Sequence, residues 1–286
     1  MVNRSNLSGI IAINIAAILF GTAALFGKLA VSPYWIVATR AGFAALTLTI
    51  WGIVSRKLGS VPPSNMRRRL VASGVVLAVH WLTFFASVQL AGVAIATLTF
   101  AAYPLFTVLL ETVRIGRKPT IHEVTSGLAI IVAVAMLVGV DHTQSIFLGA
   151  AVGLTSAISF AYFGIAAKHI STFVAPLTVS LTQNTVVLAC LAPVLPFVTP
   201  SPHSAFEWLW LALLGIVTTA LMHQLYLFAL KKLSPTTCSG FIALEPVYAV
   251  VFAAIFFDEP ISPWVGLSGA LIIGASLALL RNEAKS

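Results

Sequence analysis

The chain has 286 residues, of which 59% are hydrophobic and 8% charged, with a mean hydropathy of +1.02 and a formal net charge of +8. Soluble domains carry about 45–50% apolar and about 25% charged residues, so 16 Lys+Arg with 8 Asp+Glu cannot coat a water-soluble core of this size. A soluble protein is excluded, and nucleic acid is excluded as a partner because the basic residues lie between apolar runs and not along one face.

The apolar runs are about 20 residues long, which suits helices crossing a hydrocarbon layer of about 30 Å and not barrel strands. Their polar, proline and charged interruptions predict ten spans, at about 7–29, 34–55, 70–89, 93–113, 121–140, 146–167, 174–198, 207–230, 236–257 and 263–281. The first is too long for the apolar region of a signal peptide and is expected to stay as a span. Arg56 to Arg69, with Pro62-Pro63, separates spans two and three, whereas only Leu90 to Gly92 separates three and four. Later breaks fall at Arg114 to Pro119, Asp141 to Ser145, Lys168-His169, Pro200 to Ser204, Lys231 to Pro235 and Asp258 to Ser262.

With the N-terminus in the cytoplasm, 14 of the 16 Lys/Arg, from Arg4 to Lys285, fall inside. Lys28 falls outside, Arg40 lies within a span, and the outer loops hold Asp141, Glu207, Asp258 and Glu259. The positive-inside rule therefore predicts that both termini are cytoplasmic. Cys190 and Cys238 both sit in apolar runs without metal-ligand spacing, so buried thiols are expected and neither a metal nor a cofactor is.

The chain also reads as a repeat. A shift of 142 residues lays His80-Trp81-Leu82-Thr83-Phe84 on Met222-His223-Gln224-Leu225-Tyr226, and Tyr103-Pro104 on Glu245-Pro246. A shift of 140 pairs Gly9 with Gly149, Phe20 with Phe160 and Lys28 with Lys168. The halves, 1–140 and 141–286, hold five spans each, and an odd number makes the second enter the membrane in the opposite sense. The expected fold is an all-α integral membrane protein, with ten transmembrane helices forming two five-helix inverted repeats around a central cavity. Inverted repeats of this kind place a binding site near the midplane and expose it alternately to the two sides.

Polar groups at membrane depth are the candidates for that site, because a charge at the bilayer centre costs at least about 2.5–3.5 kcal/mol. By the helical rise, His80, Tyr103 and Glu245 each lie about 15 Å from a span end, near the midplane. Helical spacing lines up Ser73, His80, Phe84 and Ser87 on one face, and Thr99, Tyr103 and Thr107 on another. The substrate-lining set is His80, Trp81, Phe84, Thr99, Tyr103, Tyr162, His223, Tyr226, Glu245 and Tyr248, with Glu245 also the candidate for coupling. Trp81 and His223 count out to opposite sides of the midplane. Glu245, the deepest carboxylate, either titrates, meets a substrate ammonium, or anchors to Arg40 beside a Pro246 kink. Arg40 counts to about 10 Å below the outer surface, within snorkelling reach, as a structural group or a carboxylate contact. His80 serves substrate or bridges helices, while Asn14, Gln183 and Asn184 are expected to bond between helices. Trp35, Trp51, Trp208, Trp210 and Trp264 fall near span ends, as in an interfacial belt.

Catalytic motifs are absent from the sequence, and an intramembrane enzyme would need a pairing such as Ser239 with His80. A phosphorylated solute would need several Arg/Lys at depth, where only Arg40 lies. Few fixed charges among aromatic faces suit a zwitterion with an apolar side chain.

The segments Leu19-Phe20-Gly21-Thr22, Tyr103-Pro104-Leu105 after Ala94-Ile95-Ala96, and Leu244-Glu245-Pro246-Val247 followed by Asp258-Glu259-Pro260 carry a resemblance. Over its whole length the chain resembles the drug/metabolite transporter superfamily, in particular the EamA-type ten-span exporters. Within these it is most similar to YddG-type exporters of aromatic and other neutral amino acids. The resemblance implies a bacterial-type inner (plasma) membrane location, broad substrate use, poorly defined or absent proton coupling, and outward transport of a small neutral metabolite. The alternative cargo is a hydrophobic amine or drug, coupled to protons through Glu245.

Overall fold

The computed structural model describes residues 4–57, 62, 64–139, 144–259 and 261–283. Pro63, Asp141, Pro260 and Lys285 of the sequence argument lie outside the described residues. In chain order the helices are α1 (Arg4–Leu25), α2 (Pro33–Val54), α3 (Ser64–Phe100), α4 (Tyr103–Ile115), α5 (Ile121–Gly139) and α6 (Gln144–Ser171), followed by α7 (Pro176–Leu191), α8 (Ala205–Gly215), α9 (Met222–Lys232), α10 (Pro235–Ile242), α11 (Glu245–Phe257) and α12 (Pro263–Glu283). Among the described residues, six helical stretches are long and apolar enough to cross a membrane, and Ile121–Met136, Pro176–Leu191 and Pro263–Ala275 are shorter apolar helices.

Local chemistry sets the boundaries. Ser32 caps α2 by accepting from the Tyr34 N–H, with Pro33 at the first helical position, where its missing N–H has no intrahelical partner to lose. Ser204 and Glu207 form a reciprocal capping box at α8. Between α8 and α9 the six residues Ile216–Leu221 form a π segment, so the eighth span is one wound-open rod and not an ideal helix. Side chains such as Leu46, Ile50, Val113 and Phe256 stay exposed on helices that are apolar all round, as lipid requires.

Three breaks shape the interior. Gly92 interrupts α3 with φ 83° and ψ 170°, a backbone that disfavours any side chain. Arg69 before it and Arg114 after it line one cavity, so the chain doubles back between them. The other two breaks are equivalent. Ala101-Ala102 precede Tyr103-Pro104 at the start of α4, and Ala243-Leu244 precede Glu245-Pro246 at the start of α11. In each, the ring of proline removes a donor from the first turn, and the same short bonds close the gap: Leu105 N–H to Ala102 O at 3.1 Å, and Val247 N–H to Leu244 O at 3.0 Å.

Packing between helices α1 to α5 and helices α6 to α12 is reciprocal. α2 lies on α7 and α5 on α12, each being its own counterpart, while α1 packs on α9 and α11 as α6 packs on α3 and α4. Close approach at Gly21 permits one of these contacts: a Cβ there would stand 2.7 Å from Tyr248 Cβ and 3.0 Å from the Glu245 carbonyl oxygen. One continuous core runs through these interfaces and includes residues of α1, α2, α3, α4, α6, α7, α9, α10 and α11.

Candidate functional site

At the centre, where a cavity was expected, the interface is filled by rings in this conformation. Phe100 stacks on Tyr103 at 5.1 Å, and Phe160 contacts Phe20, His80, Tyr103 and Tyr226 at 4.6–5.7 Å between centroids. His80 and Phe84 come from α3, Tyr103 from α4, Phe160 from α6 and Tyr226 from α9, so both halves contribute to one aromatic cluster. His80 faces it in a defined tautomer. Its Nδ1 lies 2.8 Å from Ser156 Oγ and 3.2 Å from the Ser156 carbonyl oxygen, which can only accept, while Ser156 Oγ donates to the His80 carbonyl. Nδ1 therefore carries the proton, leaving Nε2 as an acceptor.

Beside the rings lies a polar cluster. Arg40 is 2% exposed; its guanidinium carbon stands 4.1 Å from the centroid of Trp81 and 5.3 Å from that of Phe85, and its Nε donates to Thr219 Oγ1 at 3.0 Å. Trp81 in turn meets His223 edge-on at 6.4 Å, and Asn184 Nδ2 lies 3.5 Å from His223 Nδ1. Gln183 donates to Ser73 at 2.8 Å. Four buried polar atoms here have no protein partner: Gln183 Oε1, Asn184 Oδ1, His223 Nε2 and Glu245 Oε2. A buried group left unpaired costs about 1–3 kcal/mol, more when charged, so such a concentration marks a place built for something other than packing. Glu245 is 1% exposed and forms no ion pair with Arg40.

Several expectations need correction. Arg40 does not snorkel: it turns inward, because Trp81, Phe85 and Thr219 offer it ring faces and a hydroxyl inside the bundle. Trp81 and His223 do not flank opposite sides of the midplane but touch, since counting a uniform rise ignores helix tilt and the π segment ahead of α9. Tyr162 is 53% exposed and points away from the rings, because α6 turns Phe160 and Phe163 inward and a residue between them faces outward. Tyr248 is half-buried with its Cβ against Gly21 of α1. Thr99 is buried, but its hydroxyl bonds to the Ile95 and Ala96 carbonyls of its own helix. Asn14 likewise bonds within α1, to Ile10. Cys190 is exposed, whereas Cys238 is buried and its carbonyl faces the Tyr103 hydroxyl at 3.5 Å. The sequence reading missed Phe100, Phe163, Ser156 and Thr219; Phe160 was within reach, as the repeat partner of Phe20.

At opposite ends of the bundle the repeat-related lysines make different contacts. Lys28 pairs with Glu259, while Lys168 donates to the Leu230 and Leu233 carbonyls, the latter at 2.8 Å, near where Lys232 meets Ser8. An apolar cavity of about 550 Å³ opens beside Lys28 between the end of α1, α8 and α11.

The sequence profile of the EamA-like transporter family matches residues 7–139 and again residues 147–281. The chain belongs to that family. A protein of Bacillus subtilis (strain 168) named uncharacterized transporter YxxF is 22% identical over 99% of this chain and 93% of its own. An uncharacterized transporter of Archaeoglobus fulgidus is 28% identical over 70% of each chain. A crystal structure superposes on 97% of this chain and 98% of its own with a TM-score of 0.75 at 19% identity, a likeness of fold alone. This EamA-like protein is thus an integral membrane transporter of the drug/metabolite transporter superfamily.

Proposed function

We propose that this EamA-like protein is a secondary exporter of neutral amino acids, aromatic ones above all, working by alternating access between two inverted repeats. The carrying observation is the placement of Arg40 and Glu245. Both are buried in the bundle, Arg40 is held by Thr219 and Trp81, and the two charged groups form no ion pair with each other. A zwitterion set between them satisfies both charges, its carboxylate on the Arg40 fork and its ammonium on Glu245, while Tyr103, Phe160 and Tyr226 receive an apolar side chain. His80 Nε2 adds an acceptor for the ammonium.

Inversion is supported by what the repeat partners do. Phe20 and Phe160 touch at 5.7 Å and Trp81 and His223 at 6.4 Å, as residues close to a two-fold axis do, whereas Lys28 and Lys168 stand at opposite ends. An axis in the membrane plane accounts for both, and it makes an inward-open and an outward-open state structurally equivalent. The outer end is then the one that holds Lys28, and both termini are cytoplasmic.

Two experiments test this reading. In proteoliposomes, labelled phenylalanine or tryptophan should exchange by counterflow, and His80→Ala or Tyr103→Ala should impair exchange while the protein remains folded. Exchange of hydrophobic amines without competition from neutral amino acids would support the amine reading, which the unpartnered Glu245 Oε2 favours. For topology, in a Cys190→Ser background, cysteines at Gln144 and Ser262 should react with an impermeant thiol reagent from outside and one at Ser64 should not. Labelling of Ser64→Cys alone would reverse the orientation.

A further inference from the structure

We propose that the basic end of the bundle holds a binding site for an anionic phospholipid, in the cleft between α3, α4 and α6. The cavity measures about 330 Å³, and the start of α3, the end of α4 and the end of α6 meet there. Its lining has two parts. Arg69, Arg114 and His169 form the rim, and Tyr162, Ile165 and Ala166 form an apolar wall; none of the lining residues is acidic.

The rim is arranged for a phosphate. Arg69 Nη1 lies 2.5 Å from His169 Nε2, and since arginine can only donate, the imidazole accepts. This contact steers the Arg69 fork, while Arg114 reaches the same opening from α4 and stays exposed. Two guanidinium groups from different helices suit the oxygens of one phosphate better than a point cation does. Arg67, Arg68 and Lys118, all exposed at the same end, add to the attraction for a negative membrane surface.

The wall separates a lipid from a free anion. From His169 back to Tyr162 the cavity runs seven residues along α6, about 10 Å, from headgroup level into the hydrocarbon. Tyr162, 53% exposed, stands at its deep end. A free phosphate uses only the rim, whereas a phospholipid fills both parts, its head on the arginines and an acyl chain along Tyr162, Ile165 and Ala166. A lipid there gives the outward-facing Tyr162 a contact, and its binding does not depend on which solute the protein carries.

The test uses the full-length protein in detergent with equal amounts of dioleoylphosphatidylglycerol and dioleoylphosphatidylcholine, read by native mass spectrometry and thermal unfolding. Phosphatidylglycerol should be retained in preference and raise the unfolding temperature. Arg69→Ala with Arg114→Ala should weaken its binding roughly 30-fold, about tenfold for each 1.4 kcal/mol lost, and leave phosphatidylcholine unaffected. Should that pair fail to fold, Ala166→Trp, which fills the wall, should lower retention instead. Equal retention of the two lipids by the unaltered protein would overturn the proposal, as would undiminished binding by a folded double variant. Displacement of the lipid by low millimolar inorganic phosphate would assign the rim to free anions and overturn it too.

Discussion

Glu245→Gln is expected to raise the half-saturating concentration of phenylalanine in counterflow by about 10- to 100-fold. The change keeps the shape of the side chain and an acceptor oxygen but removes its charge, so the ammonium end of the substrate loses its ion pair, a cost of about 1.5–3 kcal/mol. Arg40→Gln should weaken phenylalanine similarly by losing the carboxylate contact, and it also strips the cation from the face of Trp81. The two variants part company on phenethylamine, which has no carboxylate. Glu245→Gln should weaken the amine as much as the amino acid, whereas Arg40→Gln should leave the amine untouched or favour it. Equal effects of both variants on both solutes would mean that the charges serve the fold and not the cargo. Loss of pH-driven movement with unchanged counterflow in Glu245→Gln would instead make Glu245 the proton carrier.

Gly21→Ala is expected to cut transport by at least about tenfold and to lower the unfolding temperature. The added Cβ would meet Tyr248 Cβ at 2.7 Å, the Glu245 carbonyl oxygen at 3.0 Å and the Ala249 nitrogen at 3.1 Å. Two of these three are backbone atoms, which cannot swing aside, so α1 must back away from the start of α11 at an overpacking cost of about 1–3 kcal/mol. That displacement also moves the turn from which Glu245 projects. Gly266→Ala, with nothing within 4 Å of its added Cβ, is the matched control and should change neither reading. If Gly21→Ala behaves like Gly266→Ala, the seating of α1 on the α11 break is not what aims Glu245.

The sequence by itself determined the solvent, the all-helical class and the places where helices break. These are local properties: apolar length sets what can cross a bilayer, and Pro104, Pro246 and Gly92 change the backbone wherever they stand. The repeat was legible for a related reason, since pairing residues at a constant offset needs no coordinates, and it already coupled Phe20 to Phe160 and Trp81 to His223. Only the tertiary structure decided that these partners touch, because contact across an axis depends on tilt and rotation of helices that lie far apart in the chain. Rotation likewise sent Tyr162 to the cleft beside Arg69 and Arg114 while its neighbours Phe160 and Phe163 joined the rings. The direction of Arg40 was not legible: a long cationic side chain near the surface reaches water unless the interior offers it something better, and here Trp81, Phe85 and Thr219, from two other spans, do so.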